Sequence, residues 1–230
     1  MTAAGRFRFL LSLIFITAFC SYAYELVLAQ ILSILWGDVV LQYTVTTGVY
    51  IASMGVGAFL TPIRGSAERR FIWIEVALSC LAIAAPFCLV GADIEYRAHA
   101  SFVSYLFIIL IGFLSGMELP LILRILNESS EEEAKTERAL FTDYLGMFFA
   151  GLLFALFLNR LLGTLKTSLW LALANLGLAL VCGIVWGFHQ KKIHTLEVSA
   201  IGAGFLGIAW FIVSYFNLYQ EQLEKWVIGN

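Results

Sequence analysis

Four carboxylates stand inside runs of residues that are otherwise apolar: Glu25, Glu75, Glu118 and Asp143. A carboxyl group in such a place has two chemical uses. Charged, it holds a cation; protonated, it gives and takes a proton. Left alone in hydrocarbon, the charge costs roughly 3 kcal/mol or more, so each acid needs a partner, a water-filled cavity or a proton. The stretch Gly112 to Arg124 concentrates the problem, because it places Glu118, Pro120 and Arg124 in one apolar segment. Pro120 lacks a backbone N–H and leaves the carbonyl near residue 116 without its helical partner, which predicts a kink beside the carboxylate. Gly112 and Gly116 stand at the spacing that lets a second helix come close to that point. Arg124 is six residues from Glu118 and lies on another helical face, which directs it toward Asp143 or Glu75 on a neighbouring helix. With Tyr144, adjacent to Asp143, Arg124 and Pro120 are the residues placed to pair with or gate the acids.

The elements that position these groups follow from composition. Of 230 residues, 61% are hydrophobic and 13% charged, with a mean hydropathy of +0.89. This is an all-α, polytopic transmembrane bundle by composition, read as one integral membrane domain over 1–230. Apolar segments fall near 9–36, 39–63, 70–91, 100–126, 139–159, 165–187 and 196–217. Seven helices are expected, each long enough for about 30 Å of hydrocarbon. Short turns favour antiparallel neighbours. The run after Arg6 and Arg8 is longer than a signal peptide needs and has no small-residue cleavage site, so it is read as a first membrane helix.

Arg6, Arg8, Arg64, Arg69, Arg70, Arg124, Lys135, Arg138, Lys191 and Lys192 share one side if the N-terminus is cytoplasmic; Arg97, Arg160, Lys166 and Lys225 share the other. That asymmetry orients the chain in a bacterial inner membrane with its N-terminus inside. The acidic loop 127–138 has Ser130 and Glu133 at capping-box spacing, which predicts a helix starting near Glu131. The tail 217–230 alternates apolar and polar residues as an interfacial or partner-docking helix does. On this topology Glu75, Glu118 and Asp143 lie in the inner half of the membrane and Glu25 near mid-depth. Carboxylates that close cannot all stay charged, so at least one is expected to be protonated or paired with Arg124.

Other chemistries find little support. A net charge of −2 gives no basic face for nucleic acid. Cys20, Cys80, Cys88 and Cys182 lie far apart in apolar runs, and His99, His189 and His194 have no neighbours at ligand spacing, so neither a metal nor another cofactor is expected. Gly202, Gly204 and Gly207 fit the spacing of a dinucleotide loop, but they sit within an apolar segment and read as helix-packing glycines.

The ordered set Tyr24-Glu25-Leu26, Gly37-Asp38 with Gln42, Met54-Gly55-Val56-Gly57, Glu75, Gly116-Met117-Glu118-Leu119-Pro120 with Arg124, and Asp143-Tyr144-Leu145-Gly146 with Asn175 resembles the integral membrane domain of the membrane-bound polyamine aminopropyltransferases, the spermidine synthase-like proteins. The resemblance covers about residues 17 to 187. It implies a membrane domain normally fused to a synthase domain, whose Gly-rich nucleotide loop and catalytic aspartates have no counterpart in these residues. A non-catalytic membrane protein is therefore expected, not an enzyme.

Three functions fit this reading. In the first, Glu25, Glu75, Glu118 and Asp143 bind or pass a polyamine or other small cation, served by a separate soluble synthase. In the second, the chain anchors or assembles a larger membrane complex, and the acids are polar glue between helices. An intramembrane enzyme is the third. The topology makes a direct prediction: a cysteine introduced at Lys191 reacts only with reagents that reach the cytoplasm, and one at Lys225 only with reagents applied outside. The reverse labelling pattern rejects the orientation.

Overall fold

The computed structural model describes residues 3–62, 64–95, 97–129, 135–190 and 197–210, and among them every regular element is helical. Helix α1 spans Ala3–Trp36, α2 Val39–Phe59, α3 Ala67–Glu95 and α4 Arg97–Ser129. Helix α5, Lys135–Leu153, continues as a π-helix over Phe154–Leu162, and α6 spans Gly163–Gln190. A shorter apolar helix, Glu197–Trp210, follows. Ser130 to Glu133, Lys191, Lys192, His194 and the tail 217–230 lie outside the described residues, and with them the capping box and the interfacial helix.

Five segments are long and apolar enough to cross a bilayer, where seven were expected. The difference has a physical origin. Stretches 139–159 and 165–187 merge into one apolar segment of 53 residues, Lys135–Gly187, because the boundary between them is a local reversal rather than a polar loop. Gly163 makes that reversal with φ 74°, a conformation open to glycine. Thr167 Oγ1, which donates to the Gly163 carbonyl at 2.8 Å, then lies 3.2 Å from the Leu158 carbonyl, nine residues back; in a continuous helix the two residues would be offset by about 13 Å along the axis. Of the last expected helix only Glu197–Trp210 is described, and Gly202 and Gly204 within it pack beside Leu180 and Leu176 of α6. Gly202, Gly204 and Gly207 are thus helical, as the apolar run around them implied.

Between α1 and α2 the chain turns at Gly37 (φ 70°) and Asp38 (φ 42°). Asp38 caps α2 by accepting from the Leu41 N–H at 3.1 Å, satisfying one of the donors every helix start leaves open. Helix α3 starts behind Ser66, whose Oγ accepts from the Arg69 N–H at 3.3 Å.

Helix α1 is the centre of the assembly and touches α2, α3, α4, α5 and α6. Leu10, Ile14 and Ala23 on it are fully buried. Around it the helices pair. α3 lies antiparallel on α6, held by Ser79 Oγ to the Ala172 carbonyl at 2.8 Å and Ser168 Oγ to the Ala82 carbonyl at 2.6 Å. α1 lies on α5 where Gly146 faces the Phe15 carbonyl.

The closest backbone approach joins α2 and α4. A Cβ on Gly116 would overlap the Met54 carbonyl, one on Gly57 the Phe113 carbonyl, and one on Gly112 would come within 2.9 Å of the Tyr50 carbonyl. The spacing of Gly112 and Gly116 is therefore used for close approach. Helix α4 runs through Pro120 without interruption. Gly116→Ala is predicted to destabilise the protein by about 1–3 kcal/mol, as overpacking does. Gly55, where an added Cβ would meet nothing within 4 Å, tolerates alanine with no loss. Thermal unfolding in detergent separates the two, and equal effects would contradict the packing described.

Candidate functional site

The α2–α4 contact sets one wall of a cavity of about 480 Å³. The other wall is α1, with α5 closing the side. Glu25 from α1, Glu118 from α4 and Asp143 from α5 all line it, together with Tyr50 from α2. Among the described residues, no lysine, arginine or histidine lines it. Three acids that are 118 positions apart in the chain at their extremes thus face one space with no counter-ion from the described residues.

Each acid is held differently. Glu25 is 3% exposed and accepts from Thr47 Oγ1 of α2 at 2.6 Å, a short bond of the kind made to a carboxylate. Glu118 is also 3% exposed, and it shares the cavity wall with Gly116 and Pro120. Since Pro120 has no N–H to give, the Gly116 carbonyl lacks its usual helical donor. Asp143 is half-buried.

Tyr50 forms the polar floor. Its hydroxyl donates to the Ser21 carbonyl at 2.9 Å and lies 3.1 Å from Ser115 Oγ and 3.3 Å from Ser21 Oγ, so it ties α1, α2 and α4 together. Sequence reasoning missed Tyr50, Ser21, Ser115 and Thr47. Their signal was present: hydroxyls in runs apolar enough to cross a membrane need partners there.

The remaining expected site residues sit elsewhere. Glu75 is fully buried and does not line the cavity; it lies behind Glu118, whose carboxyl is near enough to interact with it. Tyr144 is 66% exposed on the outer face of α5, because the residue next to a cavity-facing one is turned about 100° away. Arg124 pairs with neither Asp143 nor Glu75. Its Nη2 donates to the Gly65 carbonyl at 2.9 Å and its Nε to Glu128 at 3.2 Å, which corrects the expected pairing. Nearly two helical turns beyond Glu118, it reaches the α2–α3 turn, and the acid four residues on is its ion-pair partner.

Comparison with known proteins points one way. The chain is 32% identical over 196 residues to the polyamine aminopropyltransferase of Oceanobacillus iheyensis, covering 84% of this chain and 38% of that protein. It is 31% identical over 220 residues to the polyamine aminopropyltransferase of Leptospira interrogans, covering 91% and 44%, and 32% identical over 218 residues to polyamine aminopropyltransferase 2 of Aquifex aeolicus, covering 91% and 42%. The chain spans about two-fifths of the length of these curated relatives. No protein-family model matches it, and no solved structure does.

These names overturn the expectation that the chain stands apart from enzymes. That expectation rested on a missing synthase loop, yet the matched region is itself part of proteins named for aminopropyl transfer. Thr47→Val removes the donor to Glu25 and is predicted to cost about 1.5–3 kcal/mol of stability, as losing a bond to a charged group does. Thr44→Val removes only a bond to the helix's own Val40 carbonyl and is expected to stay within about 0.5 kcal/mol. If both changes are silent in thermal unfolding, the Glu25–Thr47 contact does not hold the cavity wall. The similarity reaches most of this chain, and the proteins it resembles are polyamine aminopropyltransferases.

Proposed function

We propose that this chain is the membrane-embedded part of a polyamine aminopropyltransferase-type protein, and that the cavity lined by Glu25, Glu118 and Asp143 holds a polyamine. One observation carries the reading: carboxylates from three helices converge on a single cavity that no basic side chain among the described residues enters. Unlike charges attract more strongly when water is excluded, so such a cavity selects cations. A polyamine places ammonium groups along a flexible chain and meets several carboxylates at once. The apolar surfaces of Ile51, Leu119 and Met147 in the same cavity suit the methylene segments between those groups.

The membrane setting has its own support. Five segments have the length and apolarity of a crossing, and Lys and Arg gather at one set of turns. In this arrangement the helices hold the amine at the membrane while a synthase portion, in the same or another chain, performs the transfer.

Binding of spermidine to the purified protein tests the reading by calorimetry. At neutral pH the wild type binds, and Glu118→Gln weakens binding at least tenfold, roughly the loss of one favourable charge contact. Glu128→Gln leaves it unchanged, because Glu128 lies outside the cavity against Arg124. Lowering the pH weakens binding, since protonation removes the negative charge that attracts the ligand. Absence of binding, or equal sensitivity to Glu118→Gln and Glu128→Gln, contradicts the proposal.

A further inference from the structure

Behind the cavity wall lies a second polar cluster that cation binding alone does not explain. Glu75 of α3 is 0% exposed, and neither of its carboxyl oxygens has a well-aligned hydrogen-bond partner. The Tyr24 hydroxyl of α1 and both amide atoms of Asn175 of α6 are likewise buried without partners. The register of α3 on α6 brings two of these groups level. Ser79 meets Ala172 and Ser168 meets Ala82, so one turn further along the pair Glu75 falls opposite Asn175. Tyr24 lies within electrostatic range of both Glu75 and Glu118, without a hydrogen bond to either.

Buried polar atoms in native proteins almost always find partners, and an unpartnered one calls for a specific explanation, a proton, a water or an ion among them. Among the described residues, the titratable groups within electrostatic range of Glu75 are Cys20 and Tyr24 from α1, Glu118 from α4 and Cys182 from α6. Beyond Glu118, on the cavity side, stands Asp143. None of these is a cation. Two charged carboxylates side by side, out of water and without a counter-ion, would each bear a desolvation cost of several kcal/mol. One proton removes the conflict: a protonated carboxyl donates to its charged neighbour and still accepts from an amide or a hydroxyl.

We propose that Glu75 and Glu118 hold one proton between them, bounded by Tyr24 and Asn175, and that a cation seated against Glu118 from the cavity expels it. This rests on the reading of the cavity as a cation site. The exchange balances. The pair passes from one negative charge to two, the cation supplies the compensating positive charge, and the proton leaves past Glu118 into the cavity and bulk water. Glu75 is then the proton reservoir and Glu118 the group both ligands share.

Infrared difference spectroscopy and calorimetry on the purified full chain test this with spermidine as the probe. At neutral pH the wild type shows a carboxylic-acid C=O stretch that shifts in heavy water, is lost in Glu75→Gln and diminishes when spermidine is added. Calorimetry in buffers of different ionisation enthalpy then reads about one proton released per spermidine bound in the wild type. Glu118→Gln, which removes the shared group, abolishes that release. If Glu75→Gln does not fold, the wild-type band and the proton count decide alone. No acid band at neutral pH overturns the shared proton whether or not spermidine binds. Binding without proton release and with an unchanged band overturns the exchange. A band that disappears in Glu75→Gln, in a protein that binds no spermidine, keeps the shared proton and overturns both the exchange and the cavity's proposed ligand.

Discussion

Taking a carboxylate out of water costs several kcal/mol, and this chain does so on four helices. The arrangement of the bundle follows from how that cost is met. Glu25 meets it with Thr47 from α2. Glu118 and Asp143 meet it by facing a shared cavity with Glu25 rather than the outer surface. Each solution requires helices from different parts of the sequence to sit at fixed heights. The tyrosine hydroxyl that links Ser21 and Ser115 fixes α1, α2 and α4, and the α3–α6 serine bonds fix the pair behind them.

Small residues make this geometry possible. Where α2 meets α4, the backbones touch because Gly57, Gly112 and Gly116 present no side chain. That contact lies on the same turns of α4 that present Ser115 and Glu118. Packing and chemistry therefore share residues: a larger side chain at 116 would move the carboxylate as well as the helix. The proline two residues after Glu118 leaves the Gly116 carbonyl without its helical donor and does not end the helix. Carboxylates carried on packed helices rather than on loops stay at fixed distances from one another.

Most of the fold could be read from the residues, and the site only in part. Long apolar runs separated by Trp36-Gly37-Asp38 and by Arg64 to Arg70 located α1, α2 and α3; α1 at its start and α3 at both ends continue past the apolar stretch, while α2 stops at Phe59, short of its own. The break at Gly163 falls between the expected segments 139–159 and 165–187, where Asn159, Arg160 and Lys166 interrupt the apolar run, but nothing in those residues shows that the connection is a tight reversal rather than a loop. At the site, the identity of the acids was legible because a carboxylate in an apolar run stands out. Their orientation was not. A helix that is apolar on every side carries no amphipathic signal to say which face turns inward, so Tyr144 and Arg124 were grouped with the acids although the structure turns them away, and Glu75 was placed in the same site as Glu118 although it stands behind Glu118 and does not line the cavity. Tyr50 and its serine partners escaped notice because a hydroxyl costs less to bury than a charge.

The central claim is that a polyamine occupies the space between α1, α2, α4 and α5. A photoreactive spermidine analogue, activated on the purified protein and followed by peptide mass spectrometry, measures where the amine sits. The account predicts modified residues within 17–25, 50–58 and 115–123, with labelling suppressed by excess spermidine. Labelling confined to the exposed acids Glu128 and Glu137, or undiminished by competing spermidine, would contradict it.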